Sequence, residues 1–348
     1  MRKQVDAMAT AIMMLLCLTW GLQQSAIKAV SGEMAPLLQI AVRSGGSAAL
    51  VWLVSRYLFR DQWLNGVAWR SGLVVALLFS GEFLLVAEGL RWTTASHMAM
   101  FLYTSPLFAA IGLHLVRPEE RLNLWQWLGV LIAFGGIVLT FSAPQEVTIA
   151  SPSAPNMLLG DFMGLCAGAA WGLTTVVLRT SRLNDAPAAQ TLYYQLAGAF
   201  LASIVVALVT GKMGITITPL LVVSLSFQTI VVAFMSYLVW FWLLRHYLAS
   251  RLGVLSLMTP LFGIAFGAIL LREPLTWAFL AGGSFVLGGL VLVSRGKGRG
   301  TFKVVDDCQE KAVNVQPAIE VVSACRSATG VERGSFASNQ EDLAKTTL

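Results

Sequence analysis

Residues 90–108 (LRWTTASHMAMFLYTSPLF) and residues 244–262 (LRHYLASRLGVLSLMTPLF) carry one pattern twice, displaced by 154 positions. Without a gap, Leu90-Arg91 falls on Leu244-Arg245, Ala95-Ser96 on Ala249-Ser250, and Pro106-Leu107-Phe108 on Pro260-Leu261-Phe262. The match extends to Leu84 on Leu238 and to Glu119 on Glu273. With small changes of offset, Trp20-Gly21-Leu22 matches Trp171-Gly172-Leu173, Lys28 matches Arg179, and Gly129 matches Gly282 or Gly283. Apolar residues coincide often by chance. Proline, Trp-Gly and glutamate recurring in the same order do not, so the chain is an internal duplication.

Both copies are strongly apolar. Hydrophobic residues make up 56% of the 348-residue chain and charged residues only 12%, half the charged share of a water-facing surface. A hydrocarbon layer about 30 Å thick needs about 20 apolar residues per helix. That length predicts spans at 7–29, 36–55, 72–90, 95–116, 124–142, 159–178, 189–210, 220–243, 252–271 and 275–294. Short links such as Arg91 to Thr94 and Arg272 to Pro274 force neighbouring spans antiparallel.

The charge bias orients the bundle. With both ends cytoplasmic, the inner segments carry Arg2, Lys3, Arg56, Arg60, Arg70, Arg117, Arg121, Arg179, Arg182, Arg245, Arg251, Arg295, Lys297 and Arg299. The outer ones carry only Lys28, Arg91, Lys212 and Arg272, and the link from Ser142 to Asn156 has no cation. Excess Lys and Arg marks the cytoplasmic side. Met1-Arg2-Lys3 followed by the run from Ala7 lacks a small-x-small cleavage site, so it reads as an uncleaved first helix.

Five helices per copy is an odd number, so the second copy enters the membrane upside down. The expected fold class is an all-α membrane protein of ten transmembrane helices, two inverted five-helix repeats, N-in and C-in. The units expected are 7–142 and 159–295, followed by a cytoplasmic, disordered C-terminal tail over 300–348 whose composition is polar and small. Inverted repeats allow the two halves to exchange shapes and open one central cavity to either side, the mechanism of many secondary transporters.

At these residues the sequence resembles the EamA-type transporters of the drug/metabolite transporter superfamily. The resemblance rests on Trp-Gly with a cation eight residues after the Trp, on Pro106-Leu107-Phe108 then Glu119/Glu120, and on Pro260-Leu261-Phe262 then Glu273-Pro274-Leu275. Glycine-rich fifth helices, Gly129 to Gly136 and Gly282 to Gly289, complete it. It covers roughly residues 7 to 295. The resemblance implies a ten-helix exporter or exchanger of small metabolites, often amino acids, in a bacterial inner (plasma) membrane. The tail after Gly300 has no counterpart in it.

Other classes find little support. The net charge of +6 is spread between apolar runs, so nucleic acid is excluded as a partner. No HExxH, rhomboid-like GxSG or GxxxxGK[ST] stretch occurs, against an intramembrane enzyme or an ATP-driven pump. Cys17 and Cys166 sit in apolar runs and Cys308 and Cys325 in the tail, with no metal-ligand spacing. The expected partners are a small-molecule substrate and the lipid bilayer, with no cofactor or metal; proton coupling and a homodimer are left open.

An ionisable side chain deep in a bilayer costs at least ~2.5–3.5 kcal/mol, so each one there should face protein or water. Lys28, Arg43, Glu82, Glu88 and His97 qualify. Glu82 lies near the middle of its run and is the leading proton or ammonium site; an orienting ion pair with Arg43 is the alternative reading. Glu88 is expected to pair with Arg91 at i+3. Lys28 and Arg43 are placed to draw in a carboxylate, or Lys28 snorkels outward. Gln23, Gln24, Tyr103, Thr174, Thr175, Tyr194, Gln195, Tyr237 and Trp240 lie at depths where they line a cavity or glue helices. Trp20 and Trp171, at equivalent positions, are expected to flank it. Gln195 stands where the first repeat has Arg43, so the halves share a scaffold but not one chemistry. Pro106 and Pro260 are read as gate-shaping kinks that free the carbonyls of Leu102 and Ser256.

Overall fold

The computed structural model describes residues 6–59, 63, 68–118, 121–142, 156–247, 252 and 255–295. The expected tail at 300–348 and most of the link between Ser142 and Asn156 lie outside them, as do Glu119 and Glu120. The helices are α1 (Ala7–Ala29), α2 (Pro36–Leu53, continued by a π-helical turn Val54–Phe59), α3 (Ala68–Gly89), α4 (Ala95–Leu102), α5 (Ser105–Val116) and α6 (Leu124–Ser142). There follow α7 (Met157–Thr180), α8 (Ala188–Val209), α9 (Pro219–Ser226), a π-helical stretch Phe227–Ser236, α10 (Tyr237–His246), α11 (Thr259–Leu270) and α12 (Trp277–Arg295). Among the described residues nine helical segments are long and apolar enough to cross a membrane, and Thr259–Leu270 is a shorter apolar helix.

Local chemistry sets the helix ends. Asp6, Thr94, Asn156 and Thr218 each accept a first-turn backbone N–H at the start of α1, α4, α7 and α9, satisfying donors a helix cannot pair itself. Pro36, Pro106, Pro219 and Pro260 stand in first turns, where the missing N–H costs nothing. This corrects two expectations. The run 95–116 is not one kinked helix but two, broken at Tyr103-Thr104, with the Thr104 hydroxyl donating to the Phe101 carbonyl at 2.6 Å. The run 220–243 is not continuous α-helix either, because its centre winds as a π-helix. Pro106→Ala and Pro260→Ala should therefore each shift the thermal midpoint of detergent-purified protein by only a few degrees, the first-turn effect being about 1 kcal/mol or less.

Packing explains why the repeated motifs are what they are. A Cβ on Gly21 of α1 would lie 2.7 Å from the Phe262 Cβ of α11, and a Cβ on Gly172 of α7 would lie 2.7 Å from the Phe108 Cβ of α5. So the glycine of each Trp-Gly seats the phenylalanine of the other copy's Pro-Leu-Phe. Likewise α6 and α12 run antiparallel in contact, Gly129 against Gly289 and Gly136 against Gly282. Small residues permit this backbone approach where lipid supplies no hydrophobic drive between helices. Outward faces stay apolar: Leu124, Val209 and Trp277 are 84%, 82% and 85% exposed, which suits a lipid environment and no aqueous one.

Candidate functional site

Arg43 of α2 and Glu82 of α3 are buried, 2% and 3% exposed. The guanidinium carbon lies 4.5 Å from the centre of the Phe83 ring. Arg43 Nε and Nη1 and Glu82 Oε2 are buried without a hydrogen-bond partner. The two charges act on each other and on Tyr237 electrostatically, yet no ion pair joins them among the described residues. The orienting ion pair considered for Glu82 is thus not formed as a direct contact.

Aromatic rings of four other elements pack on one another in the same bundle. Trp20 of α1 packs on Tyr237 at 6.3 Å and edge-on to Trp240 at 5.7 Å, and its indole N–H donates to Ser236 Oγ at 2.7 Å. Tyr103, at the end of α4, packs edge-on to Trp171 of α7 at 5.3 Å. Tyr237 is the repeat equivalent of Phe83, 154 positions on. Arg43 thus lies over one of two matched aromatic positions, the one without a hydroxyl. Trp20 and Trp171 touch different partners, so the flanking is not residue-symmetric.

The π-helix makes Tyr237 available. An α-helix turns about 100° per residue, which would set Tyr237 about half a turn from Gln228. The wider i→i+5 winding takes roughly 4.4 residues per turn and brings both toward one face. That face meets α2: Gln228 Nε2 donates to Gln39 Oε1 at 3.0 Å, and Ser47 Oγ donates to the Thr229 carbonyl at 2.8 Å. Gln39, Arg43 and Ser47 are spaced at i, i+4 and i+8, one stripe of α2.

The structure brings Trp20, Tyr237 and Trp240 into one ring cluster and Tyr103 and Trp171 into another, and buries Arg43 and Glu82 on the neighbouring helices α2 and α3. The remaining candidates sit elsewhere. Lys28 donates to the Thr93 carbonyl at the end of the bundle, so it neither reaches the Arg43 pair nor snorkels free. Thr174 and Thr175 bond back to carbonyls of their own helix, at 2.9 and 3.2 Å. Gln23, Gln24 and Gln195 are buried but make no hydrogen bond to the Arg43 group. Tyr194 accepts from Gln190 Nε2 at 3.2 Å. Glu88 pairs with Arg91 as expected, and also with Lys212 at 2.9 Å. An apolar groove lined by Val42, Gly45, Trp52, Phe200 and Leu201 opens on the outer face of α2 and α8, among exposed apolar side chains.

A second polar cluster gathers around His97, with partners that sequence reasoning did not supply. His97 Nδ1 lies 2.8 Å from Asp161 Oδ2, the Thr93 hydroxyl donates to Asp161 Oδ1, and the His97 ring stacks on Phe279 at 4.1 Å. Glu273 accepts from the backbone N–H of Ala95 and Ser96. Asp161 carries a signal in the sequence, a lone carboxylate in an apolar run. Glu273 was noticed only as a repeat landmark.

A family model described as the EamA-like transporter family matches residues 7–142 and 158–295. The chain belongs to the EamA-like transporter family. It is a multi-pass membrane protein by that membership and by its apolar helices. An uncharacterized transporter of Bacillus subtilis (strain 168), YoaV, is 21% identical over 79% of this chain and 92% of its own. A Salmonella typhimurium protein named as a probable amino-acid metabolite efflux pump is 25% identical over 80% of this chain and 92% of its own. One solved crystal structure, 17% identical, superposes with a TM-score of 0.58 over 83% of this chain and 98% of that one, a likeness of fold alone. In this EamA-like chain the family motifs are the packing contacts described above, whereas Arg43 and Glu82 belong to the interior that those contacts enclose.

Proposed function

We propose that this EamA-like protein is a secondary transporter that exports a small amphoteric metabolite, an amino acid or a relative of one, by alternating access. The observation that carries the reading is the buried pair Arg43 and Glu82, of opposite sign, each with unpartnered polar atoms, with Arg43 over the Phe83 ring. Two buried charges left short of hydrogen bonds are costly. A solute carrying both a carboxylate and an ammonium offers each the partner it lacks. The name of the Salmonella relative agrees with such a solute.

The architecture we propose is ten helices in two inverted five-helix repeats, 7–142 and 159–295, both ends cytoplasmic, in the cell inner membrane. Its support is the reciprocal seating of Gly21 on Phe262 and Gly172 on Phe108, together with the antiparallel Gly129–Gly289 and Gly136–Gly282 contact. A nucleotide-sugar or sugar-phosphate exchanger would need several cations at the centre. Lys28 is engaged with Thr93, leaving Arg43 as the cation over the Phe83 ring.

A transport screen of amino acids, purines and antibiotics in an overexpressing strain tests the reading. Protection against none of them would overturn export. Glu82→Gln assayed across a pH series then separates its roles. We expect a lower rate and a flattened pH profile; an unchanged rate and profile would remove Glu82 from the mechanism. The break before Pro106 and the matching position of Pro260 are proposed as gate hinges, and Pro→Ala at both with transport intact would count against that.

A further inference from the structure

Three charged side chains, two from helices and one from the link after α11, converge on the residues Thr93–His97 at the start of α4. Lys28 of α1 donates to the Thr93 carbonyl. Asp161 of α7 holds the Thr93 hydroxyl and the His97 ring. Glu273, just beyond α11, accepts from Ala95 N at 2.7 Å, from Ser96 N at 2.9 Å and from Ser96 Oγ at 2.6 Å. Two of these three side chains, Asp161 and Glu273, come from the second half of the chain, so the clamp joins the halves.

The backbone around Glu273 is built for this contact. Arg272, immediately before it, has φ 53°, a left-handed conformation that residues with a Cβ avoid unless their surroundings demand it. Gly267 provides the space, because a Cβ there would lie 2.2 Å from Ser96 Oγ and 2.4 Å from Glu273 Oε2. A carboxylate at a helix N-terminus is favoured twice, by the unpaired N–H groups and by the helix dipole. α4 itself is eight residues, about 12 Å long, and ends at Tyr103, where the chain breaks before α5. It is a short rigid piece with the clamp at one end and Tyr103 at the other.

We propose that Glu273 is the latch of a gate at this end of the transporter, holding α4 closed against the second half, and that its release swings α4 about the Tyr103-Thr104 break. The proposal rests on the alternating-access reading but not on the identity of the solute. A transporter must break a contact between its halves at the end that opens. The Glu273 bonds are the polar part of the contact between α4 and the second half, and an opening at this end has to break them.

The test reads accessibility, so it needs no solute. In full-length protein with Cys17, Cys166, Cys308 and Cys325 replaced by Ser, Ala95→Cys reports on the clamp and Ile137→Cys, buried between α6 and α12, reports on the rest of the fold. Both are labelled with a water-soluble thiol reagent in detergent. Glu273→Gln is expected to raise the labelling rate at residue 95 about ten-fold or more, the factor that lost charge-assisted hydrogen bonds imply, and to leave residue 137 unchanged. Ser96→Ala, which removes one of the three bonds, is expected to raise it less. An unchanged rate at residue 95 in Glu273→Gln, or an equal rise at both reporters, overturns the latch. Should Glu273→Gln fail to fold, Ser96→Ala decides alone: no rise at residue 95 rejects the proposal. Loss of the amphoteric-solute reading would show in the transport screen and leave these rates untouched.

Discussion

Arg43→Gln is expected to lower transport of the solute found by the screen by about a hundred-fold or more, with the protein still folded. Arg43 is 2% exposed and its Nε and Nη1 have no partner, so a bound carboxylate would supply charge-assisted bonds that the protein does not, each worth about 1.5–3 kcal/mol. Arg43→Lys should recover only part of the rate, since an ammonium cannot reproduce the planar fork or its stacking on Phe83. Stability gives an independent reading. Removing Arg43 leaves Glu82 buried without the opposite charge that acts on it. Because the two are not in direct contact, the loss should be about 1–3 kcal/mol, below the ~3–5 kcal/mol of a broken contact pair. The double variant Arg43→Gln with Glu82→Gln should melt above Arg43→Gln alone while transporting nothing. A wild-type transport rate in Arg43→Gln would end the proposed role of this residue.

The second large effect is structural. Gly172→Leu should abolish recovery of folded protein, and Gly21→Leu should do the same. At Gly172 a Cβ would meet Phe108 Cβ at 2.7 Å, the Ser105 carbonyl at 2.7 Å and Ala109 N at 2.9 Å. Two of those three atoms are backbone, so no rotamer change relieves the clash and α7 must move off α5. Overpacking of this kind typically costs about 1–3 kcal/mol for small insertions, and a leucine adds three further carbons. Gly172→Ala should therefore survive with a lowered thermal midpoint, and shrinking the neighbour by Phe108→Ala should not rescue it, since the Phe108 Cβ remains. Size-exclusion profiles and melting curves in detergent measure both. Equal midpoints for wild type and Gly172→Ala would show that the helices can separate at no cost.

These two sites mark what each level of description decides. The Trp-Gly and Pro-Leu-Phe motifs were legible as a duplication because they are rare residue types in a fixed order. Their purpose was not, since the glycine and the phenylalanine of one copy each meet a partner in the other. Hydropathy placed the apolar helices because burial in lipid constrains every residue of a run, independent of tertiary contacts. It could not detect the break at Tyr103-Thr104 or the π-helix Phe227–Ser236. Both change backbone hydrogen bonding without changing how apolar the run is.

The sequence by itself determined that the chain is a duplicated, apolar helical bundle, and singled out Arg43 and Glu82 as charges too deep to be idle. Only the tertiary structure decided which groups stand around them. It wound the centre of one span as a π-helix, tied Lys28 to the Thr93 carbonyl, and gave Glu273 the first turn of α4 as its partner. The reason is physical. Periodicity and hydropathy report how each residue meets its surroundings on average, whereas a site is made by side chains distant in sequence, whose meeting depends on helix rotation and on where glycine lets backbones touch.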